Sequence, residues 1–416
     1  MDERIQAIAN RAWKEFGLEE YTLERFAIYE KRNGQDYTVN LEWYPTDIEG
    51  PVDEDLNPDG TASIDYDIRT GRFTSVIFTM GKNFSTVVPF KERTVEEAAA
   101  WLESVTGLTY EQDFFPELAS SNEFRFASRV DGITLSPGFH LNVEIGKDGQ
   151  LMVFSTYGEL PNLSLIEKQV FTLTLEEIEP IVKEHLTVVN FPSEADERFV
   201  PVYAIDEVYV TADGKRCIPF NIDERMTEVD YVMEWEEPLE GKIERRFIDA
   251  GEEVSVDEAF NAETRSDKNE LTAEELDICI TLVRDALRME YPEDSGKWRL
   301  QELRIAYNQI EAFCYTASKN QEIFRPKLVT LIDRKTMTVS NIIDNTAMLA
   351  MFDSFTPAPD TKIGQEEAFE KMVPYITLDP VYVYDKMQEK YVLCGLLDSD
   401  MAIDAVTGDV LELRDL

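Results

Sequence analysis

Apolar residues recur at helical spacing from the start of the chain. Ile5, Ile8, Ala9, Ala12, Trp13 and Phe16 fall on one face, and Gly17 stands where such a helix would end. The spacing predicts an amphipathic helix over residues 2–16. Three further helices open on one motif: Thr94-Val95-Glu96-Glu97, Thr174-Leu175-Glu176-Glu177 and Thr272-Ala273-Glu274-Glu275. In this capping box the threonine oxygen accepts from an unpaired amide of the first turn, while the glutamate three residues on reaches back to the amide of the threonine. A fifth helix is predicted over residues 364–375, with Ala368, Phe369, Met372 and Val373 as its apolar set.

Between the helices the period changes to two. Residues 37–44 (Tyr-Thr-Val-Asn-Leu-Glu-Trp-Tyr) and 139–145 (Phe-His-Leu-Asn-Val-Glu-Ile) alternate as half-buried antiparallel strands do. The last strands of several segments flank a similar turn. Asp67 with Gly71, and Asp404 with Gly408, share one spacing, in which the aspartate bonds forward to turn amides and the glycine supplies a positive φ. Gly149 keeps the glycine without the aspartate. Asp333 keeps the aspartate but has Met337 at the glycine position, which predicts a turn of different geometry.

The unit is therefore one helix followed by three or four antiparallel strands, repeated about five times, an α+β architecture. The predicted divisions are 1–88, 89–165, a divergent third unit 166–248, an acidic linker 249–270, 271–355 and 356–416. The third unit carries Pro180 inside its helix, with strands near 200–210, 216–222 and 231–235. The linker is polar apart from Phe247, Ile248 and Phe260 at or near its edges, and reads as a connection or mobile loop between halves. The pattern leaves open whether the units merge into continuous sheets or stay separate.

The C-terminal segment Ile403-Asp404-Ala405-Val406-Thr407-Gly408-Asp409-Val410-Leu411 resembles the closing hairpin of the PepSY module. The tandem arrangement, with Pro380-Val381-Tyr382-Val383-Tyr384 leading into Tyr391-Val392-Leu393-Cys394, resembles the YcdB/YcdC-type repeat proteins of spore-forming bacteria. The likeness covers the first and last units well, the second and fourth partly, and the third poorly. It implies tandem PepSY-like units, each a helix packed on a small antiparallel sheet, and a link to protease propeptides and peptidase inhibition. It carries over no catalytic residue, because the matched positions are turn formers.

Composition narrows the function classes. The 416 residues are 43% hydrophobic and 11% aromatic, enough for several packed cores. A formal net charge of -43 argues against nucleic acid or an anionic membrane surface as partner, since both need a positive patch. The opening Met-Asp-Glu-Arg lacks a secretory pattern and no stretch approaches the roughly 20 apolar residues of a membrane span, so a soluble, cytoplasmic, monomeric chain is predicted. Cys217, Cys279, Cys314 and Cys394 form no C-x-x-C pair and read as buried free thiols.

Candidate chemistry is sparse. There is no H-E-x-x-H, G-x-S-x-G, P-loop or G-x-G-x-x-G motif, and no cofactor is predicted. His140 falls in a strand and His185 near a helix end. With 83 acidic residues, carboxylate pairs arise by chance and select no catalytic acids. Asp53, Asp55, Asn57 and Asp59 place oxygens at alternate positions suited to calcium, although Pro58 and Ile64 break the EF-hand pattern. The reading is a non-enzymatic protein- or peptide-binding repeat protein, and the PepSY resemblance implies a peptidase as its partner. The alternatives are a peptidase inhibitor or propeptide-like chaperone, and a carboxylate-dependent hydrolase.

Overall fold

The structure, a computed structural model, describes residues 1–31, 36–47, 57–194, 196–220, 226–246, 253–261, 271–306, 308–316 and 323–416. The fold is α+β, and every ladder set out below is antiparallel. The chain divides into two compact units, Met1–Ile166 with Ala250–Ser266, and Glu167–Asp249 with Asp267–Leu416.

The first unit opens with helix α1 (Glu3–Glu15), whose N-cap Asp2 accepts from the Arg4 amide. Ile5, Ile8, Ala9 and Ala12 are buried beneath it. Trp13, expected on the same face, is 42% exposed. At ~100° per residue it sits about 80° round from Ile5, at the margin of the stripe. Strands β1 (Tyr21–Glu30), β2 (Tyr37–Pro45), β3 (Ala62–Asp67) and β4 (Arg72–Phe78) follow as a meander. Helix α2 (Val95–Thr106) closes at Gly107 with φ +70°. It leads to β5 (Phe115–Ala119), β6 (Glu123–Ala127), the small hairpin β7 (Arg129–Val130) and β8 (Ile133–Ser136), then β9 (His140–Ile145) and β10 (Leu151–Tyr157).

The first two predicted segments merge into one sheet, in the order β1-β2-β3-β4-β10-β9-β6-β5. Their last strands meet at the centre, with Val76 opposite Phe154, both fully buried. Both helices cover a single core that includes Ile5, Ala12, Leu41, Phe73, Leu102 and Phe154. Pairing the last strands buries two edges that would otherwise stand open to association.

Residues 249–270 were expected as a linker or mobile loop. Their described part, 253–261, instead packs on the first unit. Glu253 bridges Tyr29, and a short helix, α4 (Val256–Asn261), buries Ala259 in that core. The apolar residues Val254, Val256, Ala259 and Phe260, diluted among acids, are what hold it there. Phe247 and Ile248, and the rest of the expected linker, lie outside the described residues.

In the second unit, Pro180 begins a helix rather than interrupting one. A 3₁₀ turn over Glu176–Ile178 gives way to α3 (Glu179–His185), placing the proline in the first turn, where its missing N–H leaves no bond unmade. Strands β11 (Leu186–Ser193), β12 (Arg198–Ile205), β13 (Val208–Thr211) and β14 (Cys217–Pro219) follow. Near the other end, α7 (Gln365–Met372) precedes β20 (Thr377–Asp385), β21 (Lys390–Asp398), β22 (Met401–Asp404) and β23 (Val410–Glu412).

These two segments, predicted as a third and a fifth unit, share their sheets. Strands run β11-β12-β22-β23 in one ladder and β14-β13-β21-β20 in another. β12 and β13 are separated only by Asp206-Glu207, and β21 and β22 only by Ser399-Asp400. Each pair is one long strand with a bend, and the two bent strands lie antiparallel as β12 on β22 and β13 on β21. The arrangement is pseudo-two-fold, and α3 and α7 bury Ile178, Val182, Ala368 and Met372 in one core.

Between them in sequence stands a self-contained module. Its sheet runs β15-β16-β17-β18-β19, comprising Met226–Val232, Trp298–Ala306, Gln309–Thr316, Lys327–Asp333 and Thr338–Asp344. Helix α5 (Ala273–Glu290) lays Cys279, Val283, Ala286 and Leu287 over that sheet. The strand near 231–235 of the predicted third unit is thus β15, shifted toward the N-terminus, and it pairs with β16 of the fourth. Only the Thr272 cap makes both bonds of the capping box. At Thr94 the glutamate reaches past the cap to the amides of Glu92 and Arg93, and at Thr174 only the glutamate's bond forms. Among the described residues no helix is long and apolar enough to cross a membrane.

Candidate functional site

The shared turn residues are held inside the fold. The Oδ1 of Asp67 accepts from the Thr70 amide at 2.6 Å, its other oxygen meets the Lys31 ammonium, and Gly71 takes φ +68°. Asp404 Oδ1 accepts from Val406 and Thr407 at 2.7 and 2.8 Å, and Gly408 takes φ +75°. The turn at Asp333 was expected to differ, yet it does not. Its Oδ1 accepts from Lys335 and Thr336, and Met337 adopts φ +50° in spite of its side chain. The anchoring aspartate outweighs the local penalty of a Cβ in the left-handed region. A fourth copy, missed in the sequence, lies at Asp385, which accepts from Met387 while Glu389 takes φ +51°. The missed signal was the aspartate four residues before the left-handed position. Gly149, at φ +79°, sits where an added Cβ would come within 2.1 Å of the Phe90 carbonyl oxygen.

The calcium candidate is divided. Asp53 and Asp55 lie outside the described residues. Asn57 accepts from the Tyr44 hydroxyl at 2.9 Å, and Asp59 pairs with Lys82 at 2.8 Å, so both described members already have side-chain partners. Among the described residues no three metal-ligating side chains cluster. The two histidines belong to different units, His140 3.6 Å from Glu117 and His185 3.9 Å from Asp206. All four cysteines are free, and burial pushes the thiol of Cys279 up to about 11 and those of Cys314 and Cys394 up to about 12. Thiols so protected are poor nucleophiles. The carboxylates that burial raises lie on separate elements: Glu15 on α1, Asp65 on β3, Glu207 at the β12–β13 bend and Glu302 on β16. A shallow hollow of about 340 Å³ is lined by Glu234, Trp235, Glu236, Ser295 and Gly296.

The strongest surface feature is apolar and was not singled out in the sequence. After β19, Asn345 Oδ1 accepts from the Lys327 amide at 2.7 Å and its Nδ2 donates to the Arg325 carbonyl at 3.0 Å, tying the chain to the start of β18. From that anchor, helix α6 (Thr346–Leu349) and a 3₁₀ turn over Ala350–Phe352 project. Phe352 stacks on Phe324 at 5.9 Å with rings 5° apart, and also meets Phe199 at 6.1 Å and Phe355 at 5.3 Å. Phe324 of this four-ring cluster is 51% exposed, and Met348 and Met351 on the neighbouring turns are 73% and 59% exposed. Thr356 locks the turn by donating its amide to Glu197 and accepting from Phe199, both at 2.9 Å. The legible signal was the run Met348-Leu349-Ala350-Met351-Phe352, which continues an apolar stretch beyond any strand alternation.

The margin of this surface is acidic. Glu194, Asp196 and Glu197 occupy the β11–β12 turn and Asp353 follows Phe352, all exposed. Arg198 is paired with Asp196 at 3.1 Å. Contiguous exposed apolar area with a charged rim is the usual signature of a protein contact, and methionine adapts such a surface to its partner.

No family model, no curated protein and no solved structure matches this chain.

Proposed function

We propose that the chain is a protein-binding protein whose second unit takes up an apolar, basic segment of a partner at the Phe324–Met348–Met351 surface. The observation that supports this most is the pair of exposed methionines in the helical segment that ends at Phe352, itself part of a four-ring cluster. A residue as apolar as Met348 left 73% exposed gains by burial, roughly 25 cal/mol for each Å² covered. The acidic rim, and a chain carrying a formal charge of -43, select cationic residues around the partner's apolar anchors.

The test is a fluorescence-anisotropy titration with a labelled amphipathic helical peptide bearing leucine and phenylalanine on one face and lysine on the other. Binding should weaken at least tenfold in a Met348→Asp, Met351→Asp variant and with added salt. Equal affinity for the wild type and this variant, with unchanged circular dichroism, would remove the surface from the account.

A further inference from the structure

Residues 253–261 sit on the first unit as a ligand sits on a receptor. The amide of Val254 donates to the Ile28 carbonyl at 2.9 Å, and Glu253 pairs with Tyr29, so the segment adds a short strand to β1, the end strand of its sheet. One helical turn later, Ala259 is 4% exposed in the core, and Val254, Val256 and Phe260 pack against it. Arg4 organises the other wall. Its guanidinium is held by Asp2 at 2.9 and 3.0 Å, donates to Asp257 at 2.6 Å and lies 4.9 Å over the Phe260 ring.

Three kinds of contact thus meet in nine residues: backbone pairing at a sheet edge, alternate apolar side chains in a groove, and a fixed cation reading an acid. These are the elements of linear-motif recognition. The segment's hold is local, for Asp257 is 83% exposed and the backbone pairing with β1 runs through Val254 and Glu253. In sequence it is flanked by residues 262–270, Ala-Glu-Thr-Arg-Ser-Asp-Lys-Asn-Glu, which have no large apolar side chain to anchor them.

The geometry points to a peptide-binding groove on the first unit, between the start of α1 and the β1 edge, with residues 253–261 as its tethered occupant. The partner it fits in trans is an acidic segment of the same pattern: two β-branched residues alternating, an acid next, then alanine and an aromatic. As part of the same chain the resident segment competes with that partner intramolecularly, so the groove is occupied until a stronger motif displaces it.

The test uses the full chain and a fluorescein-labelled peptide spanning residues 253–261. Val256→Ser with Phe260→Ala weakens the resident segment, and Asp257→Lys opposes Arg4 at an exposed position that leaves the core untouched. The first variant should bind the peptide at least tenfold more tightly than the wild type, and the second at least threefold. Adding Arg4→Ala to either should abolish the gain. The same weak binding to the wild type and to Asp257→Lys, or equal binding of a scrambled peptide, would overturn the proposal. Because Asp257→Lys keeps every apolar contact, failure of the double variant to fold leaves the question decidable.

Discussion

The ammonium of Lys371, on α7, donates to the carbonyl oxygen of Gly408 at 3.0 Å and so ties the helix to the last turn of the chain. The same relation recurs with different residues. Arg11 on α1 donates to the Gly71 carbonyl at 2.9 Å, and Glu275 on α5 receives Arg334, next to Asp333, at 2.9 Å. In these three cases a charged helix residue latches an Asp-anchored turn. Lys371→Met keeps the side-chain stem but leaves the carbonyl to water, and should cost about 1 kcal/mol, within the range for hydrogen bonds to charged groups after solvent screening. Urea midpoints of the wild type and variant measure it. A shift no larger than that of Lys91→Met, at an exposed position, would show the latch to be incidental.

Exposed Glu389 holds a left-handed backbone at φ +51° at the turn position that Gly71 and Gly408 fill in two of the related turns. Such a conformation costs a side-chain-bearing residue about 1–2 kcal/mol, while glycine loses about 0.5–1 kcal/mol more entropy on folding. Glu389→Gly should therefore stabilise the protein by about 0.5–1 kcal/mol. Gly408→Ala, which installs the strain, should destabilise it by about 1 kcal/mol or more. Opposite signs in thermal unfolding are the expected outcome, and a loss of stability on Glu389→Gly would contradict the strain account.

What could be read from the sequence was local. Apolar spacing located α1 and α7, the capping box α2 and α5, and alternation β2 and β9, because these signals depend on neighbours in the chain. The assembly of the strands was not legible. Val76 meets Phe154 and Tyr203 meets Ile403 across separations of 78 and 200 residues, and nothing in a two-residue period says which edge pairs with which. The docked segment was hidden by composition: four apolar side chains among acids read as a connection, although Ala259 is in the core. The Phe324–Met351 surface was hidden because an apolar run reads as interior, and only the packing shows which of its residues stay outside.

Glu207 lies at the bend between β12 and β13, and Asp398 ends β21 at the bend that precedes β22. Burial, and then the charges of Asp398 and Asp206, raise the Glu207 carboxyl above its ordinary value of 4.5. A raised acid binds its proton more tightly in the folded state, so its contribution is neutral below the unfolded value and turns unfavourable as pH rises through the folded one. Glu207→Gln should accordingly match the wild type near pH 4 and exceed it at pH 7. Its exposure keeps the gain to about a few tenths of a kcal/mol. Unfolding midpoints at the two pH values test the sign, and a variant that gains at pH 4 but not at pH 7 would refute it.

Arg216 and Asp385 form the pair on which the β13–β14 and β20–β21 connections depend. The Asp385 side chain is only 3% exposed, and besides Arg216 it accepts from the Met387 amide at 3.0 Å and the Gln388 side chain at 2.7 Å. Arg216 beside it, with these two donors assisting against burial, holds its carboxyl below the usual 3.8. Removing the cation leaves a buried carboxylate with two hydrogen bonds and no counter-charge, so Arg216→Ala should cost about 2–3 kcal/mol at pH 7. A depressed acid stabilises above its unfolded value and loses that contribution as pH falls through the folded one. The gap between wild type and variant should therefore narrow below about pH 3.8, where the unfolded carboxyl is protonated. Asp385→Asn on the Arg216→Ala background should restore part of the loss at pH 7, since a neutral amide needs no counter-ion. If Arg216→Ala is equally damaging at pH 7 and pH 3, the cost lies in lost side-chain packing rather than in the charge.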